Sequence, residues 1–336
     1  MNLIRRLPVY LVLDVSESMA GPAIEAVNKG VQTLVDSLKN NPLALETAYL
    51  SVITFARKAE QMIPLTELMR FQPPKLSVRS GSALGAALKL LMASIKKEVI
   101  QTSATTKGDY KPLVFLLTDG QPTDDWESAA KTLRTANNPK MANLYAIGCG
   151  PDVDPDVLRQ VSDIVLMMND LSPEGFKKFF VWLSASVQTA SAKLEGAKGP
   201  IDMPPLPSGV GVPDDRHEYD PTPRQVFLTA KCQKTKKPYL MRFARRDYDE
   251  RYEAIAAHPL EVFEDDAGDY LPPISTDMLD GCPDCPYCEN DVAGMCPCGT
   301  LFCNATNPKG PVVCPGCASQ LNRGHGGSFD IRRSMG

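Results

Sequence analysis

Between Pro8 and about Lys193, short apolar runs alternate with longer stretches whose apolar residues recur every three or four positions. The short runs are Val9–Leu13, Ala48–Phe55, Leu113–Leu117, Leu144–Ile147 and Ile164–Met167. Several of them are apolar on both alternations, as a strand covered on both faces must be. The longer stretches carry helical stripes: Ile24, Val27, Val31, Leu34, Val35 and Leu38; then Leu84, Leu88, Leu91, Ile95 and Val99; then Phe176, Phe179, Phe180, Leu183 and Val187. Strands that alternate with crossover helices pair in parallel. The pattern therefore predicts an α/β fold, a doubly wound and mostly parallel sheet with helices on both faces.

From Gly196 to Pro223 that regularity ends. Pro200, Pro204, Pro205, Pro207, Gly209, Gly211 and Pro213 remove any period, which predicts a semi-stiff, solvent-exposed linker. After it, Gln225–Leu228 and Tyr239–Phe243 read as two short strands around a basic turn, Lys231–Lys237. The expected organisation is a first domain over residues 1–195, a linker over 196–222, and a small, β-rich, cysteine-rich domain over 223–336. No internal repeat is visible.

Composition narrows the function classes. The 336 residues are 43% hydrophobic and 23% charged, enough to bury a full core and form about two domains. A formal net charge of −4 provides no overall basic field to draw the chain onto nucleic acid or anionic lipid. The apolar run near the N-terminus is too short for a signal-peptide core or a membrane span, so the expected location is cytoplasmic. In a reducing compartment, closely spaced thiols point to metal ligation and not to disulfides.

Hard oxygen donors gather at strand ends. The strand Val9–Leu13 runs into Asp14-Val15-Ser16-Glu17-Ser18, a carboxylate and two hydroxyls on one turn. The carboxyl ends of strands are where open α/β sheets bind ligands. Ser82 follows in Ser80-Gly81-Ser82 before a helical stripe, and Asp119 follows the run Leu113–Leu117 in Thr118-Asp119-Gly120. Such donors suit Mg²⁺, Mn²⁺ or Ca²⁺. Taken singly, Asp14 could be a helix cap and Asp119-Gly120 an ordinary turn. Glu17 is expected to point into solvent.

Asp-x-Ser-x-Ser, a hydroxyl loop before a helix, and Thr-Asp-Gly after a central strand resemble the metal-ion-dependent adhesion site of von Willebrand A domains, over roughly residues 5–195. The resemblance implies that Ser16, Ser18 and Ser82 contact the ion directly, while Asp14 and Asp119 bind through water or complete the shell. Ser82 stands where many members have threonine and keeps the hydroxyl. It further implies a site left one ligand short, which an acidic side chain of a partner protein fills.

Eight of the ten cysteines fall between Cys282 and Cys317. Cys-x-x-Cys turns at this spacing suit tetrahedral Zn²⁺ in a closed, structural site. The reading from spacing pairs Cys285 and Cys288 with Cys314 and Cys317. Cys282, Cys296, Cys298 and Cys303 form a candidate second set, with His325 in reserve, and the choice between one Zn²⁺ and two stays open. Cys149 and Cys232 read as scattered buried thiols. The segment is short of apolar residues, so its metal should also be what folds it.

An A-type domain, a proline-rich linker, a strand pair around Lys231–Lys237 and a Cys-Pro-Tyr-Cys ribbon together resemble the TerY family of bacterial tellurium-resistance and stress proteins. That resemblance implies a non-catalytic adaptor or substrate beside a protein kinase and a PP2C-type protein phosphatase, in a phosphorylation module for tellurite or chemical stress. Cys282 is additional to the family's ribbon pattern. The chain has only three histidines, His217, His258 and His325, and lacks a Ser-His-Asp set and a phosphate-cradling glycine loop. No enzyme is therefore expected; the alternatives are a metal-dependent hydrolase using Asp14 and Asp119, or a nucleic-acid-binding zinc ribbon with Lys234, Lys236, Lys237, Arg242, Arg245 and Arg246 as its phosphate face. The acidic Asp265, Asp266 and Asp269 argue against the second. Thr235 is either a phosphate acceptor or a turn residue chosen for its hydroxyl.

Overall fold

The computed structural model describes residues 5–103, 105, 107–135, 141–150, 152–193, 203–213, 222–261, 271–304, 312–321 and 327–334. His217, His325 and the acidic residues Asp265, Asp266 and Asp269 lie outside the described residues. The chain divides into two compact units, the first made of Met1–Val15, Gly21–Leu76 and Ser82–Tyr219 and the second of Ser16–Ala20, Ser77–Gly81 and Asp220–Gly336.

The first unit contains β1 (Leu7–Asp14), α1 (Pro22–Lys39), α2 (Pro42–Thr47), β2 (Ala48–Phe55), β3 (Ala59–Glu67), α3 (Leu84–Glu98), β4 (Leu113–Thr118), α4 (Trp126–Thr135), β5 (Asn143–Cys149), α5 (Pro155–Val161), β6 (Ile164–Met168), α6 (Pro173–Lys193) and β7 (Val210–Gly211). Its sheet runs β3-β2-β1-β4-β5-β6-β7. β1, β2, β4, β5 and β6 are parallel, while β3 and β7 are antiparallel at the two edges. Local signals start the helices where they should. Asn41 accepts from the Ala44 amide with Pro42 opening α2, and Asp154 accepts from the Asp156 amide with Pro155 opening α5.

Helices α3, α4 and α5 close one core with Tyr10, Val12, Ile53, Phe55, Val114 and Leu116 of the sheet. α1, α2 and α6 pack together on the other face. Gly30 lets α1 and α6 approach: a Cβ built there would lie 2.0 Å from Phe180 Cδ2. The chain leaves β1 for β2 on one side and reaches β4 on the other, in register Leu13↔Thr54 and Leu13↔Leu117. The sheet's switch point, and with it the natural ligand crevice, therefore lies at the carboxyl ends of β1 and β4.

One expectation is corrected. Residues 203–213, within the stretch read as a free linker, lie against the first unit. Met167↔Gly211 and Met168↔Val210 pair in the sheet, the Asn169 amide donates to Gly209 O at 2.9 Å, and Trp182 Nε1 donates to Pro204 O at 3.0 Å. Prolines favour extended backbone without providing amide donors, so such a segment can lie along a sheet edge at its one non-proline stretch.

The second unit is built from β8 (Gln225–Lys231), β9 (Pro238–Arg245), β10 (Tyr252–Pro259), β11 (Leu271–Ser275), β12 (Leu279–Asp280), β13 (Val292–Met295), β14 (Leu301–Asn304), β15 (Val312–Val313), β16 (Gln320–Leu321) and β17 (Asp330–Arg333). A six-stranded sheet runs β12-β10-β9-β8-β14-β13, with separate two-stranded pairs β11-β17 and β15-β16. Its core joins Val226, Leu228, Met241, Phe243, Leu301 and Ile331 to several of the cysteines.

Candidate functional site

Asp14 ends β1 at 1% exposure. Its Oδ2 accepts from Ser82 Oγ at 2.9 Å and from Thr118 Oγ1 at 2.6 Å. Thr118 is the last residue of β4, and Ser82 lies in the loop just before α3. Two and four residues beyond Asp14, the Ser16 and Ser18 hydroxyls lie 2.9 Å apart. Ser16 is buried, whereas Ser18 and Asp119 are half-buried. Burial raises the pKa of the Cys149 thiol at the end of β5, and the negative charges of Asp119 and Asp14 add to that rise. The loop carrying Ser82 is tied at both backbone atoms: its amide donates to Thr123 Oγ1 at 3.2 Å and its carbonyl accepts from the Thr123 amide at 2.9 Å. Asp124 then caps α3, accepting from the Gly85 and Ala86 amides at 2.8 Å each.

A hydroxyl that donates to a buried carboxylate keeps its lone pairs for a cation, so this donor set fits a small hard ion. Thr118 is a member that sequence reasoning passed over; its place directly before Asp119 at the end of an apolar strand was the available signal. Glu17 corrects a second expectation. It is 1% exposed, not solvent-facing, because the 3₁₀ turn Glu17–Met19 rolls it inward, where its Oε2 accepts from the Gly81 amide at 2.8 Å.

In the second unit the sulfurs form two sets of four: Cys232, Cys285, Cys288 and Cys303, and Cys296, Cys298, Cys314 and Cys317, each set within 4.8 Å. This departs from the grouping by spacing. Cys285 and Cys288 part from Cys314 and Cys317, Cys232 joins the first set, and Cys282 is in neither. The hairpin of β13 and β14 explains the exchange. Its tip carries Cys296 and Cys298, while successive residues of β14 face opposite ways: Leu301 and Cys303 face one core and Phe302 the other. Cys232 enters from the turn between β8 and β9, where its amide donates to Lys237 O at 2.9 Å.

Four sulfurs about 2.3 Å from a tetrahedral ion are about 3.8 Å apart. The observed separations are 3.5 Å for Cys232–Cys288 and Cys288–Cys303, 3.6 Å for Cys296–Cys317 and 3.7 Å for Cys298–Cys314. All ten cysteines are free thiols. Backbone amides point at the sulfurs, from Gln233 to Cys303 Sγ at 3.4 Å and from Gly316 to Cys314 Sγ at 3.3 Å. Burial pushes the Cys303 thiol up to about 11. Burial also acts upward on Cys232, but hydrogen bonds from Thr235 outweigh it and hold that thiol at about 7. Contact with the Ser319 hydroxyl holds Cys317 down to about 6. Both sets fit Zn²⁺ as thiolate donors.

The basic residues do not form one free face. Arg246 is taken up by Asp280, Asp249 and Tyr248, and Arg242 donates to Gln225 Oε1 at 2.7 Å. Thr235 is exposed, and its Oγ1 accepts from the Lys237 amide at 3.4 Å, as a turn residue does. No described helix is long and apolar enough to cross a membrane.

The sequence matches two families, the von Willebrand factor type A domain over residues 9–171 and the TerY-C metal binding domain over residues 223–336. A curated relative, the uncharacterized protein sll0103 of Synechocystis sp., is 30% identical over 167 residues, 47% of this chain and 36% of its own length. Among solved structures, a von Willebrand factor type A protein from Catenulispora acidiphila is 17% identical over 55% of this chain and 43% of its own, with a TM-score of 0.41. Proximal thread matrix protein 1 of the mussel byssus, with a zinc-occupied MIDAS motif, is 18% identical over 55% of this chain and 48% of its own, with a TM-score of 0.40. The chain thus spans less than half the length of each of these relatives.

Proposed function

For a chain of TerY-type architecture, a von Willebrand factor type A domain followed by a TerY-C metal binding domain, we propose the role of a non-catalytic, metal-dependent adaptor. The first domain holds Mg²⁺, or Mn²⁺ or Ca²⁺, through Asp14, Ser16, Ser18, Ser82 and Asp119, and a partner's carboxylate completes the shell. The second domain is held by two Zn²⁺. The partners are a protein kinase and a PP2C-type phosphatase of one phosphorylation module, serving tellurite or chemical-stress resistance in the cytoplasm.

The observation that carries this reading is the state of Asp14: buried, and accepting from two hydroxyls at once. Both hydroxyls donate to one oxygen, Oδ2, which fixes the carboxylate in place and leaves the hydroxyl lone pairs for a cation, so Asp14 anchors a cation site. With neutral hydroxyls as its direct ligands and Asp14 and Asp119 acting through water, an ion bound there keeps positive character at its open position, and an acidic side chain is its natural complement. A partner carboxylate seated on the ion is a strong charged contact.

The test is calorimetric titration of the full chain into the phosphatase and the kinase, in Mg²⁺ and then in chelator. Chelation, or Asp14→Ala with Ser16→Ala, should cost about 2 to 5 kcal/mol, a loss of more than about tenfold in affinity. Equal affinity in both buffers, with the double variant binding normally, would refute the adaptor mechanism.

A further inference from the structure

The two cysteine sets differ in how they are built into the second unit. The inner set, Cys232, Cys285, Cys288 and Cys303, sits in the main core: Cys232 is 0% exposed, and Cys285 and Cys303 are each 1% exposed. Two of its ligands belong to the six-stranded sheet, Cys303 within β14 and Cys232 just past the end of β8. The fully buried Tyr239 packs in the same core, and among the described residues its hydroxyl has no hydrogen-bond partner.

The outer set, Cys296, Cys298, Cys314 and Cys317, is held differently. Cys298 and Cys317 are exposed. The apolar support is small, consisting of Phe302, Val312 and Leu321 around Cys296 and Cys314. Cys314 and Cys317 hang on a hairpin whose strands, β15 and β16, have two residues each. Opening that hairpin frees two ligands and leaves the main sheet intact, whereas at the inner set Cys303 within β14 and Cys232 beside β8 stay fixed unless the sheet itself opens.

We propose that the outer set is an exchange site, where Zn²⁺ leaves and a soft, thiophilic d¹⁰ cation such as Cd²⁺ takes its place, while the inner set is the permanent fastener of the fold. The inference rests on the reading of both sets as metal sites. The step is ligand exchange alone: one divalent cation enters, one leaves, the four thiolates stay, and no electron moves. Ligand replacement at a closed tetrahedral site begins when an incoming group reaches a sulfur or the ion. Two exposed sulfurs provide that access at the outer set, and three buried ones deny it at the inner.

The test uses the reduced full chain, with zinc counted by elemental analysis and its release to a chromogenic chelator followed in time. Two ions per chain should leave in two phases of equal amplitude, the first at least about tenfold faster. Cys317→Ser and Cys298→Ser should each abolish the fast phase and leave one slowly released ion with the far-ultraviolet circular dichroism unchanged. One equivalent of Cd²⁺ added to the zinc protein should give a single ¹¹³Cd thiolate resonance that is missing in both variants. A single release phase for both ions, or loss of the slow phase in either variant, would overturn the inference while leaving both metal sites standing. Fewer than two ions per chain at the outset would overturn the underlying reading, and the inference with it.

Discussion

At the scale of single residues, two hydroxyls near Asp14 should behave differently on substitution. Thr118 is buried and donates to Asp14 over 2.6 Å, so Thr118→Val keeps the branched shape and leaves a buried carboxylate short of one donor. Urea denaturation should show the first domain destabilised by about 1 to 3 kcal/mol. Ser18 is half-buried and bonds to Ser16 at the rim, so Ser18→Ala should leave that stability within about 0.5 kcal/mol while weakening metal-dependent partner binding in the calorimeter. Cys149 is 1% exposed, and its pKa is raised by burial and then by Asp119 and Asp14. A raised pKa keeps the unreactive thiol form at pH 8, so a thiol reagent should modify Cys149 only after denaturant is added, by peptide mapping. Asp14, Ser16, Ser18, Ser82 and Asp119 were all legible as oxygen donors because each follows or precedes an apolar run. The burial of Glu17 was not, because it depends on a 3₁₀ turn that aims the side chain at a loop far along the chain.

Elements were legible in proportion to their burial. The five parallel strands and the helices α1, α3 and α6 stand out because both faces of a strand, or a full stripe of a helix, are apolar. The edge strand β3 was missed: its side chains are mostly half-buried, so polar and apolar residues mix along it. The short helices α2 and α5 are marked by caps and prolines more than by period. Packing between α1 and α6 hangs on one glycine. In Gly30→Ala the new methyl meets the Phe180 ring at 2.0 Å, and the helices must separate or the ring must turn. The expected cost is about 1 to 3 kcal/mol, read as a lower Tm of the first domain, with the zinc content of the second unchanged.

For the whole molecule, the expected result of stripping zinc is selective. The second unit draws its buried thiols into its core, so binding energy there is folding energy. The first unit closes a core of ordinary apolar side chains on each face of its sheet. A strong chelator should therefore remove one of two calorimetric unfolding transitions and spare the other; loss of both, or of neither, would contradict this division. What the sequence determined by itself was local in character. Strand and helix periods follow from which residues are apolar, the cation chemistry from hard donors at strand ends, and the soft-metal chemistry from the density of thiols. The tertiary structure alone decided which groups meet. Cys232 and Cys288 are 56 residues apart and 3.5 Å from sulfur to sulfur, and Cys303 parts from its neighbours Cys296 and Cys298 because a strand turns successive side chains to opposite faces. Val210 and Gly211 pair with a sheet edge that exists only once β6 is in place. Spacing along a chain measures neither of these, because pairing is set by distance in the folded sheet.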